Sequence, residues 1–258
     1  MAELPDLTVF AQILSRKFAG KTLKEIDVKV AKKLKGTVAE LKEALEGKKL
    51  IEVLREGKTL QFKFSSNHVL GMHLMLRGEL ELLDQSNPEP KFLVFGFHFA
   101  GGGGFAVTDR LKQATPTLDP VKAKSPDALE ISEADFITLL AKKKGMVKEV
   151  LMDQKVIRGI GNSYADEILW DARISPFSLS NAIPEKVAKK LYASMVSVLR
   201  EAIDFIAKEN GDELRGELRD AMKVHGAKIE KSPTGKEIKS EKIGGRTAYY
   251  TDEQKMYS

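Results

Sequence analysis

DQKVIRGIGNSYADEILWDA, residues 153–172, joins a basic approach (Lys155, Arg158) to a Gly159-Ile160-Gly161 turn and places Asn162 at the head of an amphipathic helix. Glycines let backbone approach backbone, Asn162 is suited both to cap the helix and to offer its amide, and the N–H groups of a first helical turn face an anion. The stretch therefore describes a phosphate site. A Gly-x-Gly-Asn turn before a helix is also an ordinary tight connection, and these residues alone leave both readings open.

The chain around this stretch reads as helical. Ala134 to Lys144 suits a short helix, and from about Pro184 the residues Val187, Leu191, Met195, Val198, Ala202 and Ile206 draw one apolar stripe for packing. After Gly226 the helical period fades. Residues 238–250, broken by Gly244-Gly245, read as a β-hairpin with Arg246 just past its turn.

Upstream, Leu7, Phe10, Ala11, Leu14 and Phe18 recur at helical spacing, with Pro5 near the start and Gly20 past the end, so an N-terminal helix is predicted. From about 22 to 109 short alternating runs follow, including 59–64, 79–82 and Phe92 through Phe99, which predict an antiparallel sandwich. Gly101 to Gly104 reads as a hairpin tip, because no Gly-Lys-Ser/Thr follows. Pro116, Pro120, Lys122 and Lys124 mark an interdomain linker. The expected fold is α+β in two domains: residues 1–114 as helix and sandwich, 115–130 as linker, 131–223 as a helical domain, and 224–258 as a terminal hairpin.

Composition sets the outer limits. At 258 residues, with 42% hydrophobic and 31% charged side chains, the chain can build two cores. It contains no cysteine, which excludes disulfide and thiolate chemistry, and with only His68, His73, His98 and His225 no closed structural zinc site is expected. The start, MAELPDLTVF, lacks a secretory profile and no apolar run reaches membrane-spanning length, so a cytoplasmic location is expected. Net charge is +5 with a pI near 9.1. Lys228, Lys231, Lys236, Lys239, Lys242 and Arg246 crowd the tail, which suits a polyanion or a solvated surface.

MAELPDL at the N-terminus, Arg55-Glu56-Gly57-Lys58 before a strand, His73-Leu74 in the sheet, LMDQKVIRGIGNSYADEIL and the final GGRTAYY lie in one order. In that order the chain resembles the formamidopyrimidine-DNA glycosylase and endonuclease VIII family over essentially its whole length. The resemblance implies an N-terminal helix and β-sandwich, a helix-two-turn-helix domain, and a terminal finger hairpin. It implies duplex DNA carrying a damaged base or abasic site as partner, bound in a cleft between the domains, with the damaged base flipped out and excised. No cofactor, no membrane partner, a monomeric state and a bacterial-type, nucleoid-associated location are expected with it. The helix-two-turn-helix also occurs in ribosomal proteins, but the N-terminal match and the sandwich disfavour an RNA-binding reading.

In the family the initiator methionine is removed, the next residue, proline, attacks the sugar C1′ through its α-amine, and the following glutamate acts as general acid. A terminal amine suits this role, since a pKa of roughly 7.7–8.0 leaves a neutral fraction near pH 7. Glu3 matches the glutamate, and Ala2 stands where the proline would be. The primary amine of Ala2 still forms a Schiff base once Met1 is off, giving base loss and strand cleavage in attenuated form. If Met1 stays on, the amine is displaced by a residue and in-line attack is lost, leaving a binder of damaged or abasic DNA without excision. Glu3 also fits a simple helix N-terminal acid.

Other positions carry over from the resemblance. Lys58 matches a catalytic-domain lysine that contacts phosphate near the lesion, and also fits an exposed lysine before a strand. Lys155, Asn162 and Arg246 match phosphate contacts, with Arg246 on the hairpin beside the flipped nucleotide, where a guanidinium fork suits a phosphate. Leu76 falls where the family wedges a methionine into the gap left by the extruded base, and also fits a core leucine. The family's second void-filling segment, Asp-Pro-Arg-Arg-Phe-Gly, is here Asp109-Arg110-Leu111-Lys112-Gln113-Ala114. Where the family has four zinc cysteines, this chain has Ser232, a short turn at Thr234-Gly235, Thr251 and Gln254, so no metal is expected and Ile238, Ile243, Tyr249 and Tyr250 are the expected packing. Gly211 to Gly226 is shorter than the lesion-covering segment of the 8-oxoguanine enzymes. Oxidised pyrimidines, ring-opened purines or abasic sites are therefore the favoured substrates.

Overall fold

The computed structural model describes residues 1–84 and 89–258. Its elements, in order, are α1 (Leu4–Phe18), β1 (Leu23–Val28), α2 (Val38–Leu45), β2 (Leu50–Glu56), β3 (Thr59–Phe64), β4 (Val69–His73), β5 (Gly78–Leu83), β6 (Leu93–Phe99), β7 (Gly104–Asp109) and β8 (Thr115–Leu118). They continue with α3 (Glu133–Ala141), α4 (Val147–Met152), α5 (Asn162–Ala172), α6 (Glu185–Asn210), β9 (Lys239–Ile243) and β10 (Arg246–Tyr250). By packing, the chain forms two units, residues 1–122 with 206–218 and residues 123–205 with 219–258. Among the described residues no helix is long and apolar enough to cross a membrane.

In the first unit two antiparallel sheets, ordered β1-β6-β7-β5 and β2-β3-β4-β8, face each other across an apolar core. Alternation explains β3, whose Leu60, Phe62 and Phe64 are buried while the residues between them are half-exposed. Stacked rings fill the middle, with Phe97 and Phe105 centroids 4.7 Å apart, Phe62 and Phe105 5.2 Å apart, and Phe18 of α1 lying 4.7 Å from Phe99. Such pairs add attraction beyond the area they bury. Helix α1 presents Leu7, Phe10, Ala11, Leu14 and Phe18 to this core, as its period requires, and Gly20 follows at φ +84°, a left-handed value that terminates it.

Three differences from the sequence reading stand out in this unit. Residues 115–118, expected in the linker, pair with β4 as β8, their alternating threonines suiting a strand and Pro116 taking a sheet edge where no N–H is missed. Helix α2 interrupts the predicted run of strands, and its N-terminus is a Thr37/Glu40 capping box, with Glu40 N–H donating to Thr37 Oγ1 at 3.1 Å and Thr37 N–H to Glu40 Oε2 at 2.7 Å. Strand β6 begins at Leu93, because Phe92 adopts φ +60°, outside strand geometry.

In the second unit α5 is amphipathic on a polar theme: its inner face buries Tyr164, Ile168 and Leu169 together with Asp166 and Glu167. On the part of α6 in this unit the buried stripe is Ala188, Leu191, Met195 and Leu199, so Val187, Val198 and Ala202 sit at its margins, while Ile206, also buried, belongs to the first unit. Strands β9 and β10 form the predicted hairpin about Gly244-Gly245, at φ +53° and +77°. At Gly244 a Cβ would come within 2.6 Å of Glu149 Oε1 on α4, which reserves the position for glycine.

Candidate functional site

Within the first unit the chain start is laid down as the lead-in to α1. Glu3 is the N-cap residue, its backbone N–H donating to Asp6 Oδ2 at 2.8 Å, and both Glu3 and Asp6 are buried. The acid expected here is thus anchored by the helix start itself, as the N-cap of α1. Ala2 is almost buried and lines a cavity of about 220 Å³ with Phe10, Leu76, Arg77, Glu79, Gly216 and Glu217. The Met1 ammonium forms an ion pair with Glu217 on the 206–218 segment.

Leu76 projects 57% exposed from the loop between β4 and β5, which decides against the core-leucine reading. The loop is locked from below. Met75 sits at φ +59° and donates its N–H to His73 Nδ1 at 3.0 Å, and Gly78 N–H closes on Leu74 O at 2.9 Å. A side chain at 78 would place its Cβ 2.2 Å from Leu74 O. His73 accepts only while its Nδ1 is unprotonated, and burial, with the nearby Lys58 ammonium, holds its pKa below the usual histidine value. Lys58 itself occupies the β2–β3 turn after Gly57 at φ +58° and is largely buried, so the exposed-lysine reading does not hold. Arg55 braces that turn against α1, donating from Nε to Thr8 Oγ1 at 2.9 Å and from Nη1 to Gly57 O at 3.1 Å.

Within the second unit the Gly159-to-Asn162 turn is held by Gln154, which accepts the Gly159 N–H at 2.9 Å and donates to Ile160 O at 2.9 Å. Lys155 is exposed beside it. Asn162 is not the cap expected from sequence: Gly161 is the N-cap, and Asn162 Nδ2 donates instead across to Thr247 O on β10 at 3.1 Å. That single bond ties the helix start to the residue next to Arg246, which is exposed at the head of β10. Of the three residues expected at a phosphate, Lys155 and Arg246 are exposed, and Asn162 is tied through one carbonyl to Thr247, the neighbour of Arg246.

The same carbonyl accepts from Lys148 Nζ at 3.1 Å, and Lys148 and Asp166, both 0% exposed, are paired at 2.7 Å. Asp166 also holds His225 Nδ1 at 2.7 Å and accepts the Tyr249 N–H at 3.1 Å. Its neighbour Glu167 takes the backbone N–H groups of Lys223, Val224 and His225 at 2.8–2.9 Å, yet burial still raises its pKa. Sequence reading missed these acids because Asp-Glu inside a helix looks like a solvated face.

The finger positions form their own hydrogen-bonded centre. Glu253 accepts from Thr234 Oγ1 at 2.8 Å, Thr251 Oγ1 at 3.0 Å, Ser232 Oγ at 3.3 Å and Trp170 Nε1 at 3.4 Å. The Thr234 hydrogen bond foremost, then Thr251, Trp170 and the Arg173 guanidinium, hold its carboxyl below the usual range against the effect of burial. Gln254 joins in by accepting the Thr251 N–H at 2.9 Å and donating to Ile174 O at 2.8 Å. Apolar packing contributes as expected at Ile243, while Tyr250 meets Phe177 edge-on at 5.3 Å and Tyr249 meets His225 at 5.1 Å.

Comparison with known proteins agrees with this layout. The formamidopyrimidine-DNA glycosylase N-terminal domain model matches residues 1–115, and the formamidopyrimidine-DNA glycosylase H2TH domain model matches residues 123–211. A formamidopyrimidine-DNA glycosylase of Heliobacterium modesticaldum is 30% identical, covering 97% of this chain and 98% of its own. A second, from Pelotomaculum thermopropionicum, is 28% identical over 97% of both. Among solved structures, the Lactococcus lactis formamidopyrimidine-DNA glycosylase bound to DNA containing an abasic site superposes with a TM-score of 0.86 at 26% identity, covering 97% of this chain and 98% of that one. A mutant of the same enzyme bound to DNA containing Fapy-dG gives 0.87 at the same identity and coverage.

Proposed function

We propose, from the premise that this chain belongs to the formamidopyrimidine-DNA glycosylase family and is a DNA glycosylase of base excision repair, that its nucleophile is the α-amine of Ala2, freed by removal of Met1. The observation that carries this reading is Ala2 lining a cavity at the very start of α1, one residue before a buried, helix-capping Glu3.

The amine nitrogen forms a bond to C1′ of the extruded nucleotide while the glycosidic bond breaks and the base leaves with that electron pair. The departing base takes up the proton that the amine gives up, and Glu3 gives its proton to the ring oxygen O4′ as the C1′–O4′ bond breaks, leaving the Schiff base. Its protonated form withdraws electrons, so loss of a C2′ proton expels the 3′ phosphate, and water then releases the enzyme. Alanine differs from an N-terminal proline at one point. A secondary amine gives a permanently cationic iminium, whereas the Ala2 imine acts as an electron sink only when protonated, so strand cleavage is slowed more than base release.

Lys58, Lys155, Asn162 and Arg246 serve the phosphates, supplying affinity rather than base identity. Leu76 wedges into the vacated stack, for which its exposure and its rigid loop suit it. The substrates are ring-opened purines, oxidised pyrimidines and abasic sites, and the protein acts in the cytoplasm at the nucleoid as a monomer.

Single-turnover base release from lesion duplexes tests the roles. Methionine-processed protein should release base, and Glu3→Gln should lose release by two or more orders of magnitude, in keeping with the roughly 10²–10⁴-fold contribution of a positioned acid, while still binding the duplex. Unchanged release by Glu3→Gln would contradict the assignment.

A further inference from the structure

At one end of the β1-β6-β7-β5 sheet three residues other than glycine take left-handed backbone: Met75 at φ +59° shortly before β5, Phe92 at +60° just before β6 and Lys112 at +54° shortly after β7. Such conformations persist where surrounding structure over-determines them, and they cluster at sites of recognition. Here the determinants are visible. Asp109 N–H donates to Phe92 O at 2.9 Å, and the buried Asp109 carboxylate accepts the N–H groups of Leu111, Gln113 and Ala114 at 2.6–2.8 Å.

What this scaffold holds outward is unusual for a protein surface. Phe92 is 57% exposed and Leu111 50%, and both line a groove of about 700 Å³ with Arg77 and Arg110. Lys91 and Lys112, next in sequence to the two apolar residues, are exposed as well. An aromatic ring and an aliphatic side chain set among four cations have the composition of a nucleic-acid stacking surface, apolar for a base and positive for its phosphates. Arg77 and Glu79 line both this groove and the cavity that Ala2 lines, so the two are neighbours on either side of these side chains, with Leu76 at the cavity's edge.

We propose that Phe92, supported by Leu111, is a stacking platform for the base left unpaired in the strand opposite the extruded nucleotide, and that it makes binding depend on that base. The assignment rests on the proposed reading of the Ala2 cavity as the lesion site.

The test measures binding of the full-length protein to two duplexes, one with an abasic analogue facing adenine and one with the same analogue facing a second abasic analogue. Phe92→Ala should weaken the first roughly 5- to 150-fold, as expected for loss of one stacked base, and leave the second unchanged. Phe92→Trp should keep the discrimination, and Leu111→Ala should reduce it in part. Equal affinity of wild type and Phe92→Ala for the first duplex, or equal loss on both duplexes, would overturn the platform. Arg246→Ala separates the two levels: it should weaken both duplexes alike, and if it weakens neither, the DNA-contact reading of the site fails independently of Phe92.

Discussion

The sandwich and the finger reach rigidity by opposite routes. In the first unit a stack of phenylalanines from α1 and both sheets holds the frame from which Ala2, Leu76 and Lys58 are presented. In the second, the hairpin carrying Arg246 is fixed largely by polar pairs: buried Lys148 and Asp166 and half-buried His225 form one chain, and Glu253 gathers hydroxyls where the family places zinc. An apolar frame loses stability in proportion to the volume removed. A polar one fails when a single partner is removed, because the remaining charge is left buried.

That contrast predicts a ranking of effects. Phe105→Ala should cost about 3–5 kcal/mol as a core cavity, and Lys148→Met a comparable amount, about 3–5 kcal/mol, by stranding Asp166. The two are separated by compensation. Adding Asp166→Leu to Lys148→Met should recover much of the loss in urea melts, whereas no single second change should rescue Phe105→Ala. Failure of the double variant to recover would mean the clamp is held by packing after all. Thr251→Val should cost less, about 1 kcal/mol, as one hydrogen bond lost from the Glu253 centre.

A pH effect sharpens the contrast from the other side. His73 has a lowered pKa in the fold, so below its ordinary value of 6.5 the unfolded chain takes up the proton first. Its contribution to stability is therefore complete above that value and is lost progressively as pH falls below it. Protonation of His73 in the folded protein, which its lowered pKa moves to lower pH, also removes the acceptor for Met75 N–H, so lesion binding should weaken only below the pH at which the stability loss begins. His73→Asn, titrated between pH 7 and 5, should flatten that part of the profile, and an unchanged slope would assign the loss elsewhere.

The elements legible from sequence were those with a repeating period or a marked turn: α1, the strands of alternating burial, α6 and the hairpin about Gly244-Gly245. Helix α4 spans only six residues, too few to show a period, and α2 was announced only by Thr37 and Glu40 within a stretch dominated by strand patterns. The candidate site divides the same way. Ala2, Glu3, Lys155, Asn162 and Arg246 lie in short local motifs. Phe92, Glu217 and Lys148 owe their places to pairings across distant segments, for which no local spacing gives a sign. Asn162 shows the limit most sharply, since the residue type is right for a cap, and only the approach of Thr247 diverts its amide.

The central claim is that the Ala2 amine is the nucleophile, and borohydride trapping on an abasic-site duplex tests it most directly, run on protein whose N-terminus has been defined by intact mass. Methionine-processed protein should give a covalent adduct that peptide mapping places on Ala2, and protein retaining Met1 should give little or none. Absence of an adduct from the processed form, or an adduct mapped to a lysine and indifferent to Met1, would contradict the account.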